Sequence, residues 1–272
     1  MTDRFSRTFA DLAARGEGAF VPFVNLADPD DETSFAVLCA LAEGGADALE
    51  LGIPFSDPCA DGPVIEASAG RALRAGATPA GALAILKRFR ARYPEMPVSL
   101  MLYINLVCAP GIETFFQRAA EAGADAVLIP DLPAAMREAE PQWDAAAKAA
   151  GIDLVAIVPP NASEETVRRI ARLTHGYTYL LSRAGITGTD RAAGMPVQRT
   201  LDLLSEEGAP APLLGFGISR PEHVRAALAA GARGVISGSA VVERIAAHLG
   251  DRDAMTASLT AFCREMKAAT RN

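Results

Sequence analysis

Eight short apolar runs, separated by stretches with helical periodicity, are the feature that most constrains the fold of this chain. The runs are Ala19–Asn25, Ala48–Gly52, Val98–Tyr103, Ala126–Ile129, Leu154–Val158, Thr178–Leu181, Leu213–Gly215 and Gly234–Ser237. Short continuous apolar runs are typical of strands that are buried on both faces, and strands that alternate with helices predict a parallel sheet covered by helices. Eight such units in 272 residues favour closure over an open sheet. The expected fold class is therefore α/β, a single (β/α)8 TIM barrel.

The segments between the runs carry apolar residues at helical spacing. Three of them place these residues on one face: Phe35, Leu38, Leu41 and Ala42; Leu83, Leu86 and Phe89; and Val167, Ile170 and Ala171. Near the N-terminus, Phe5, Phe9 and Leu12 follow the same period and predict an extra N-terminal helix that caps the barrel floor. Because no linker or low-complexity segment interrupts this pattern, residues 1–272 are predicted to form one domain.

Composition excludes several classes of protein. The chain is 50% hydrophobic with a net charge of -7 and has no basic stripe, so nucleic acid and anionic membrane surfaces are poor partners. No apolar run reaches 18 residues, and charged residues interrupt the N-terminal segment, which argues against a membrane span and a signal peptide. The four cysteines lie far apart, as expected of reduced thiols. A cytoplasmic protein is predicted.

Two carboxylates follow the second apolar run. If Leu49 and Leu51 meet the helix layer, strand alternation points Glu50 into the barrel near its mouth. Burial among apolar neighbours would raise the pKa of Glu50 towards neutrality, which suits proton transfer. Asp61 lies in a loop stiffened by prolines and is placed over the same mouth. From these residues alone, a structural carboxylate at position 50 and an ordinary Asp-Gly turn at position 61 stay open.

Glycine-rich turns follow the seventh and eighth runs and predict a phosphate site. The first contains Gly215 and Gly217, and the second contains Gly238 and Ser239 before a helix expected from Ala240. Glycines let backbone N–H groups approach oxygens, and a helix N-terminus adds the positive end of its dipole. These two loops are the recurrent phosphate site of barrels, so the pair is more specific than either turn alone.

The sixth run contains Tyr179 and leads into a glycine-rich loop, Ser182–Gly194. The loop composition indicates a lid over the mouth, with an ordinary solvated loop as the alternative. Tyr179 is expected either to line the pocket or to fill the core.

Scarce residue types narrow the chemistry. The lysines and histidines are Lys87, Lys148, Lys267, His175, His223 and His248. Each lysine falls in a helical segment, which disfavours a Schiff base, and the histidines lack metal-ligand spacing. A phosphate-binding site beside acidic groups indicates a phosphorylated metabolite as the substrate. The reaction favoured is metal-free acid/base catalysis by carboxylates, which requires a substrate that stabilises its own leaving group.

Several motifs resemble the tryptophan synthase alpha subunit family over nearly the whole chain. They are Glu50–Pro58, Ala60–Pro63, Tyr179–Gly188 and Gly215–Ile218. The resemblance implies a (β/α)8 barrel and a lyase of tryptophan biosynthesis that cleaves indole-3-glycerol phosphate to indole and glyceraldehyde 3-phosphate. It also implies that Glu50 transfers protons, that Asp61 hydrogen-bonds the indole N–H, and that Tyr179 lies beside them.

The same resemblance implies the remaining site residues. The substrate-binding set is Phe23, Leu102, Leu128, Ile157, Arg183, Thr187 and Phe216, and the phosphate-binding set is Gly188, Gly215, Gly217, Gly238 and Ser239. Thr187 is the lid residue expected to meet Asp61 on closure. In this chain Asn25 and Ala27 stand where the family usually has threonine and glycine, and Met195 precedes Pro196 where another apolar residue is expected.

The resemblance further implies a partner. A beta subunit that carries pyridoxal phosphate would take indole within an alpha2-beta2 heterotetramer, and no cofactor is expected in this chain. The segments expected to contact that partner are Pro54–Pro58, Asn105–Gly111 and Asp131–Met136. Three other hypotheses stay open: a sugar-phosphate isomerase, a stand-alone indole-releasing lyase, and a catalytically weak barrel that acts as an allosteric module of its partner.

Overall fold

Eight parallel strands pair in chain order and close into a barrel in the computed structural model, which describes residues 4–181 and 197–271. The strands are β1 (Ala19–Asn25), β2 (Leu49–Gly52), β3 (Val98–Met101), β4 (Ala126–Leu128), β5 (Asp153–Val158), β6 (Thr178–Leu181), β7 (Pro212–Gly215) and β8 (Gly234–Ser237). Each strand agrees with one predicted apolar run to within two residues at either end. The predicted (β/α)8 barrel is therefore confirmed.

Helices follow every strand. They are α1 (Arg4–Ala14), α2 (Asp31–Glu43), α3 (Pro63–Arg74), α4 (Pro79–Arg92), α5 (Ile104–Cys108), α6 (Ile112–Ala122), α7 (Ala134–Ala139), α8 (Gln142–Ala150), α9 (Glu164–Leu173), α10 (Val197–Glu206), α11 (Pro221–Ala229), α12 (Ser239–Ala247) and α13 (Arg252–Ala268). The three predicted helical faces lie in α2, α4 and α9. Across the described parts of the chain, every helix is too short or too polar to cross a lipid bilayer.

Strand alternation divides the buried apolar residues into two clusters. In β2, Leu49 and Leu51 belong to the outer cluster, which packs between the barrel and its helices. In β1, Val21 and Phe23 belong to the inner cluster, which fills the barrel. Phe23 pairs in register with Glu50, and residues paired on neighbouring strands point to the same face of a sheet. Glu50 therefore points into the barrel, as predicted.

Helix α1 covers the N-terminal ends of the strands. Phe5 and Leu12 are buried in the inner cluster, and the Phe5 ring lies 5.2 Å from the ring of Tyr177. At the first residue of the helix, Arg4 Nη1 lies 2.5 Å from Oδ1 of Asp125, the residue that precedes β4. These contacts place α1 as the floor of the barrel and confirm the predicted N-terminal helix.

The last helix joins the C-terminal end of the chain to its beginning. Lys267 in α13 places its Nζ atom 3.0 Å from carboxylate oxygens of both Glu17 and Asp47. The same ammonium donates to the carbonyl oxygen of Gly18 at 3.2 Å. One buried cation therefore connects α13 to the segments that lead into β1 and β2.

The turn between β1 and α2 contains a residue in the left-handed region. Ala27 has φ 62°, and its N–H group donates to Ser34 Oγ at 2.9 Å. The neighbouring Asp28 is buried, and its carboxylate accepts two hydrogen bonds from Arg71, at 2.9 and 2.7 Å, and one from Ser68 at 2.5 Å. Because Ser68 and Arg71 belong to α3, this turn is tied to the helix that follows Asp61.

Candidate active site

Glu50 is a fully buried carboxyl group, and only one of its two oxygen atoms has a hydrogen-bond partner among the described residues. Its exposure is 0%, and Oε1 accepts a hydrogen bond from the Tyr177 hydroxyl at 2.6 Å. Among the described residues, Glu50 Oε2 is the only buried side-chain nitrogen or oxygen without a hydrogen-bond partner. Burial raises the pKa of Glu50 to about 7, against the opposing effect of the Tyr177 hydrogen bond. Such a group can both give and take a proton near neutral pH.

Tyr177 is a site residue that the sequence reasoning missed. Its hydroxyl lies between Glu50 Oε1 and Ser99 Oγ, 3.0 Å from the latter. A phenol carries one proton, so while Tyr177 donates to Glu50 it can only accept from Ser99. Tyr177 precedes β6 by one residue, and alternation counted back from Tyr179 places both tyrosines on the same face. That count was the signal available in the sequence.

Tyr179 lies inside the barrel and close to both carboxyl groups. Its pKa is raised well above the ordinary value, first by burial and then by the charges of Glu50 and Asp61. A Cβ atom placed on Gly215 would lie 2.3 Å from the Tyr179 hydroxyl. Glycine at position 215 therefore leaves the space that this phenol occupies against β7.

Asp61 lies in the loop between β2 and α3 and is half-buried. Burial raises the pKa of Asp61, a hydrogen bond with Tyr103 opposes this, and the charge of Glu66 adds to it. The Tyr103 hydroxyl also accepts the N–H of Ala60 at 3.0 Å, and its ring lies 5.5 Å from that of Phe55. Tyr103, which sequence reasoning did not include, thus contacts the loop at the residue before Asp61 and at Asp61 itself.

The predicted apolar pocket residues divide between the two clusters. Phe23 and Leu128 belong to the inner cluster, and Ile157 packs against it. Leu102 belongs to the outer cluster, whereas its neighbour Met101 packs against the inner one. Both border the small cavity beside Asp61. Strand alternation explains the difference, because Leu100 faces outward and the next residue must face inward.

Phe216 stands apart from these residues. It follows β7 with φ 78°, and the residue is 60% exposed. A bulky side chain with a left-handed backbone is rare and costs free energy, so the surrounding loop must hold it.

The two glycine-rich turns meet at the barrel mouth. Gly217 has φ 78°, a conformation that favours glycine. Gly238 is the N-cap residue of α12, which begins at Ser239, one residue before the predicted start. The first N–H groups of a helix have no acceptor within it, and they mark the positive end of its dipole. These turns can therefore hold an oxyanion.

Ser237 connects the two turns. It is fully buried at the end of β8, and its hydroxyl donates to the carbonyl oxygen of Ile218 at 2.6 Å. The bond fixes the loop after β7 relative to the start of α12. Ser237 is not predicted as a site residue, because a serine within an apolar strand carries no recognisable signature.

Part of the predicted site belongs to the segment between β6 and α10. Arg183, Thr187, Gly188 and Met195 lie outside the described residues, and so does the predicted lid. In the described ranges, no three histidine, cysteine, aspartate or glutamate side chains come together to hold a metal ion. Catalysis without a metal stays a prediction.

Comparison with known proteins identifies the family. A family model described as tryptophan synthase alpha chain matches residues 9–271. A tryptophan synthase alpha chain from Shewanella amazonensis is 55% identical over 98% of this chain and 100% of its own length. The crystal structure of tryptophan synthase subunit alpha from Legionella pneumophila has a TM-score of 0.86 at 29% identity, with 98% of each chain covered. A chain of the tryptophan synthase complex from Pyrococcus furiosus has a TM-score of 0.81 at 34% identity, covering 92% of this chain and 98% of that chain. The chain therefore belongs to the tryptophan synthase alpha chain family and is a lyase subunit of tryptophan biosynthesis.

Proposed function

We propose that the chain cleaves indole-3-glycerol phosphate to indole and glyceraldehyde 3-phosphate by carboxylate acid/base catalysis. The observation that carries the proposal is Glu50, fully buried at the barrel interior with one carboxylate oxygen left unpaired among the described residues. A buried polar atom without a hydrogen-bond partner costs free energy. An unpaired atom of this kind in a native fold therefore indicates a functional role. Proton exchange between Glu50 and a substrate atom is the role that we propose.

In this mechanism Glu50 gives one proton and receives one. Protonated Glu50 donates to indole C3, which converts the ring into an electron sink, and Asp61 in its ionised form stabilises the positive charge that develops at N1. Glu50, now ionised, removes the proton of the glycerol hydroxyl next to the ring. The carbonyl of glyceraldehyde 3-phosphate forms, the bond from C3 to the glycerol carbon breaks, and its electron pair returns to the ring to give indole.

The remaining residues bind the substrate. Phe23, Leu128 and Ile157 offer apolar surface to the indole ring, and Met101 adds to it from β3. The phosphate group is proposed to lie at the glycine-rich turns after β7 and β8, with the turn residues Gly215, Gly217, Gly238 and Ser239 supplying backbone N–H groups. Tyr179, Leu102, Phe216, Arg183, Thr187 and Gly188 complete the proposed site.

We further propose that residues 1–272 form one domain, that the chain uses no cofactor of its own, and that it passes indole to a beta subunit. The related Pyrococcus furiosus structure is of a tryptophan synthase complex. The segments proposed to contact the beta subunit, Pro54–Pro58, Asn105–Gly111 and Asp131–Met136, follow the C-terminal ends of β2, β3 and β4. They therefore stand on the mouth side, where a partner that receives indole must dock.

The test is release of indole from indole-3-glycerol phosphate, measured with and without a beta subunit. Glu50→Gln removes the proton-transfer group at nearly constant shape, and we expect the rate to fall by about 10²-fold or more. Glu207→Gln, a half-buried and ion-paired control position after α10, should keep the rate of the unmodified chain. Full activity of Glu50→Gln would remove Glu50 from the mechanism. A folded wild-type chain that releases no indole yet activates its partner would instead support the allosteric module.

A further inference from the structure

Asn25 bridges two segments of the barrel mouth. It is the last residue of β1, is buried, and pairs in register with Gly52 of β2. Its amide Nδ2 donates to the carbonyl oxygen of Ile65 at 3.2 Å and to Ser68 Oγ at 3.1 Å. A Cβ atom on Gly52 would lie 2.2 Å from Asn25 Oδ1. The side chain therefore fills the space between the end of β2 and the first turns of α3.

These two contacts adjoin the segments that carry the carboxyl groups. Gly52 lies two residues after Glu50, and α3 begins two residues after Asp61. Asn25 and Asp61 also border the same small cavity at the mouth. A displacement of α3 relative to β2 would therefore change the separation of Glu50 and Asp61.

Ser68, the residue of α3 that accepts from Asn25, has a second hydrogen bond in the buried turn. Its hydroxyl donates to the buried carboxylate of Asp28 at 2.5 Å. Arg71 donates to that carboxylate through two nitrogen atoms, and such paired contacts fix geometry as well as adding attraction. Asn25 is thus the end of a buried hydrogen-bond network that runs from α3 to the end of β1.

We propose that Asn25 is a positioning residue, which holds α3 and the Asp61 loop at a fixed distance from Glu50. This inference rests on the proposed function, in which Glu50 protonates C3 of the indole ring and Asp61 stabilises the charge at N1 of the same ring. Both contacts must be met together in the transition state, and a displacement of about 1 Å is enough to slow such a reaction strongly. The effect should fall on kcat more than on KM, because Asn25 acts on the geometry of the reacting groups.

Ser34 provides a matched control in the same turn. Its hydroxyl accepts the N–H of Ala27 at 2.9 Å, and both residues are buried. Ser34 belongs to α2, and its hydroxyl bonds to the turn, whereas the amide of Asn25 bonds to α3. Asn25→Ala and Ser34→Ala each remove a buried side chain that hydrogen-bonds near β1, so both should lower thermal stability.

The experiment compares indole release and thermal unfolding in the full chain, using indole-3-glycerol phosphate as the substrate. We expect Asn25→Ala to lower kcat by about tenfold or more with less than about a threefold change in KM. Ser34→Ala should keep kcat within about twofold despite its loss of stability. If Asn25→Ala does not fold, Asn25→Ser takes its place, because its hydroxyl is too short to span both acceptors.

A folded Asn25 variant with the same kcat as Ser34→Ala would overturn the positioning role and leave the proposed function intact. An equal fall of kcat in both variants would also overturn it, because loosening of the turn would then explain the loss. A well-folded wild-type chain without indole release would overturn the proposed function and, with it, this inference.

Discussion

At the scale of one residue, Glu50 shows how a buried site group can lower the free energy of unfolding at neutral and higher pH. Its pKa is raised from 4.5 to about 7 because burial disfavours the charged form. The unfolded chain ionises Glu50 near the ordinary pKa, whereas the folded chain keeps the proton until about pH 7. The contribution of Glu50 to stability is therefore complete below about pH 4.5 and is lost as the pH rises through about 7.

Glu50→Gln should abolish this pH dependence. Relative to the wild type, the free energy of unfolding of the variant should rise by about 3 kcal/mol between about pH 4.5 and pH 8, since a pKa shift of this size has that value. Urea denaturation at both pH values measures the change. The Glu207→Gln control should change far less between the two pH values, because Arg168 lowers the pKa of Glu207 and a lowered pKa contributes stability that is kept above about pH 4.5. Equal Glu50→Gln differences at the two pH values would show that folding does not raise the pKa of Glu50.

The direction of Glu50 could be predicted from sequence, because its neighbours Leu49 and Leu51 fix which face of β2 is apolar. Tyr177 could not be predicted with the same ease, since it lies just outside its strand and its bond to Glu50 joins residues 127 positions apart. Leu102 and Met101 differ for a related reason. A motif match assigns a role to a position, whereas the pleat of β3 decides which of two adjacent side chains faces the barrel interior.

At the scale of one element, the turn between β1 and α2 holds Ala27 in the left-handed region, at φ 62°. This conformation costs about 1 kcal/mol for a residue with a Cβ atom, and glycine avoids that cost. Ala27→Gly should therefore raise the free energy of unfolding by about 0.5 to 1 kcal/mol, as measured by urea denaturation.

The same replacement in a helix supplies the control. Ala145 is exposed within α8, and Ala145→Gly should lower the free energy of unfolding by about 1 kcal/mol. Destabilisation of similar size at both positions would mean that the turn places no strain on Ala27.

Elements of sufficient length could be predicted because a repeated apolar period identifies them. Helices α2 and α9 each span at least ten residues and carry a complete apolar face. By contrast, α5 and α7 have five and six residues, which is too short for the period to emerge. These two helices are therefore not predictable from apolar periodicity.

At the scale of the whole molecule, Lys267 joins the two ends of the barrel chain by meeting both Glu17 and Asp47 at 3.0 Å. Lys267→Met should lower the free energy of unfolding by about 3 kcal/mol, because it leaves the largely buried Asp47 carboxylate without its cation. Urea denaturation measures this loss. Lys148→Met, at an exposed position of α8, should change stability by less than about 0.5 kcal/mol.

A second variant separates charge from packing. Asp47→Asn combined with Lys267→Met removes the unpaired charge and should recover part of the lost stability, since the asparagine oxygen can still accept the N–H of Phe20. A loss below about 1 kcal/mol in Lys267→Met alone would show that the contact does not secure α13.

The division of the apolar residues into two clusters with no shared member has a consequence for protein engineering. A combinatorial library confined to inward-facing positions such as Phe23, Leu128 and Ile157 would alter the shape of the barrel interior while leaving the residues of the outer cluster unchanged. Ligand preference and scaffold integrity could thus be selected in separate rounds. This lyase barrel is therefore a tractable starting point for changing ligand preference without rebuilding the outer cluster.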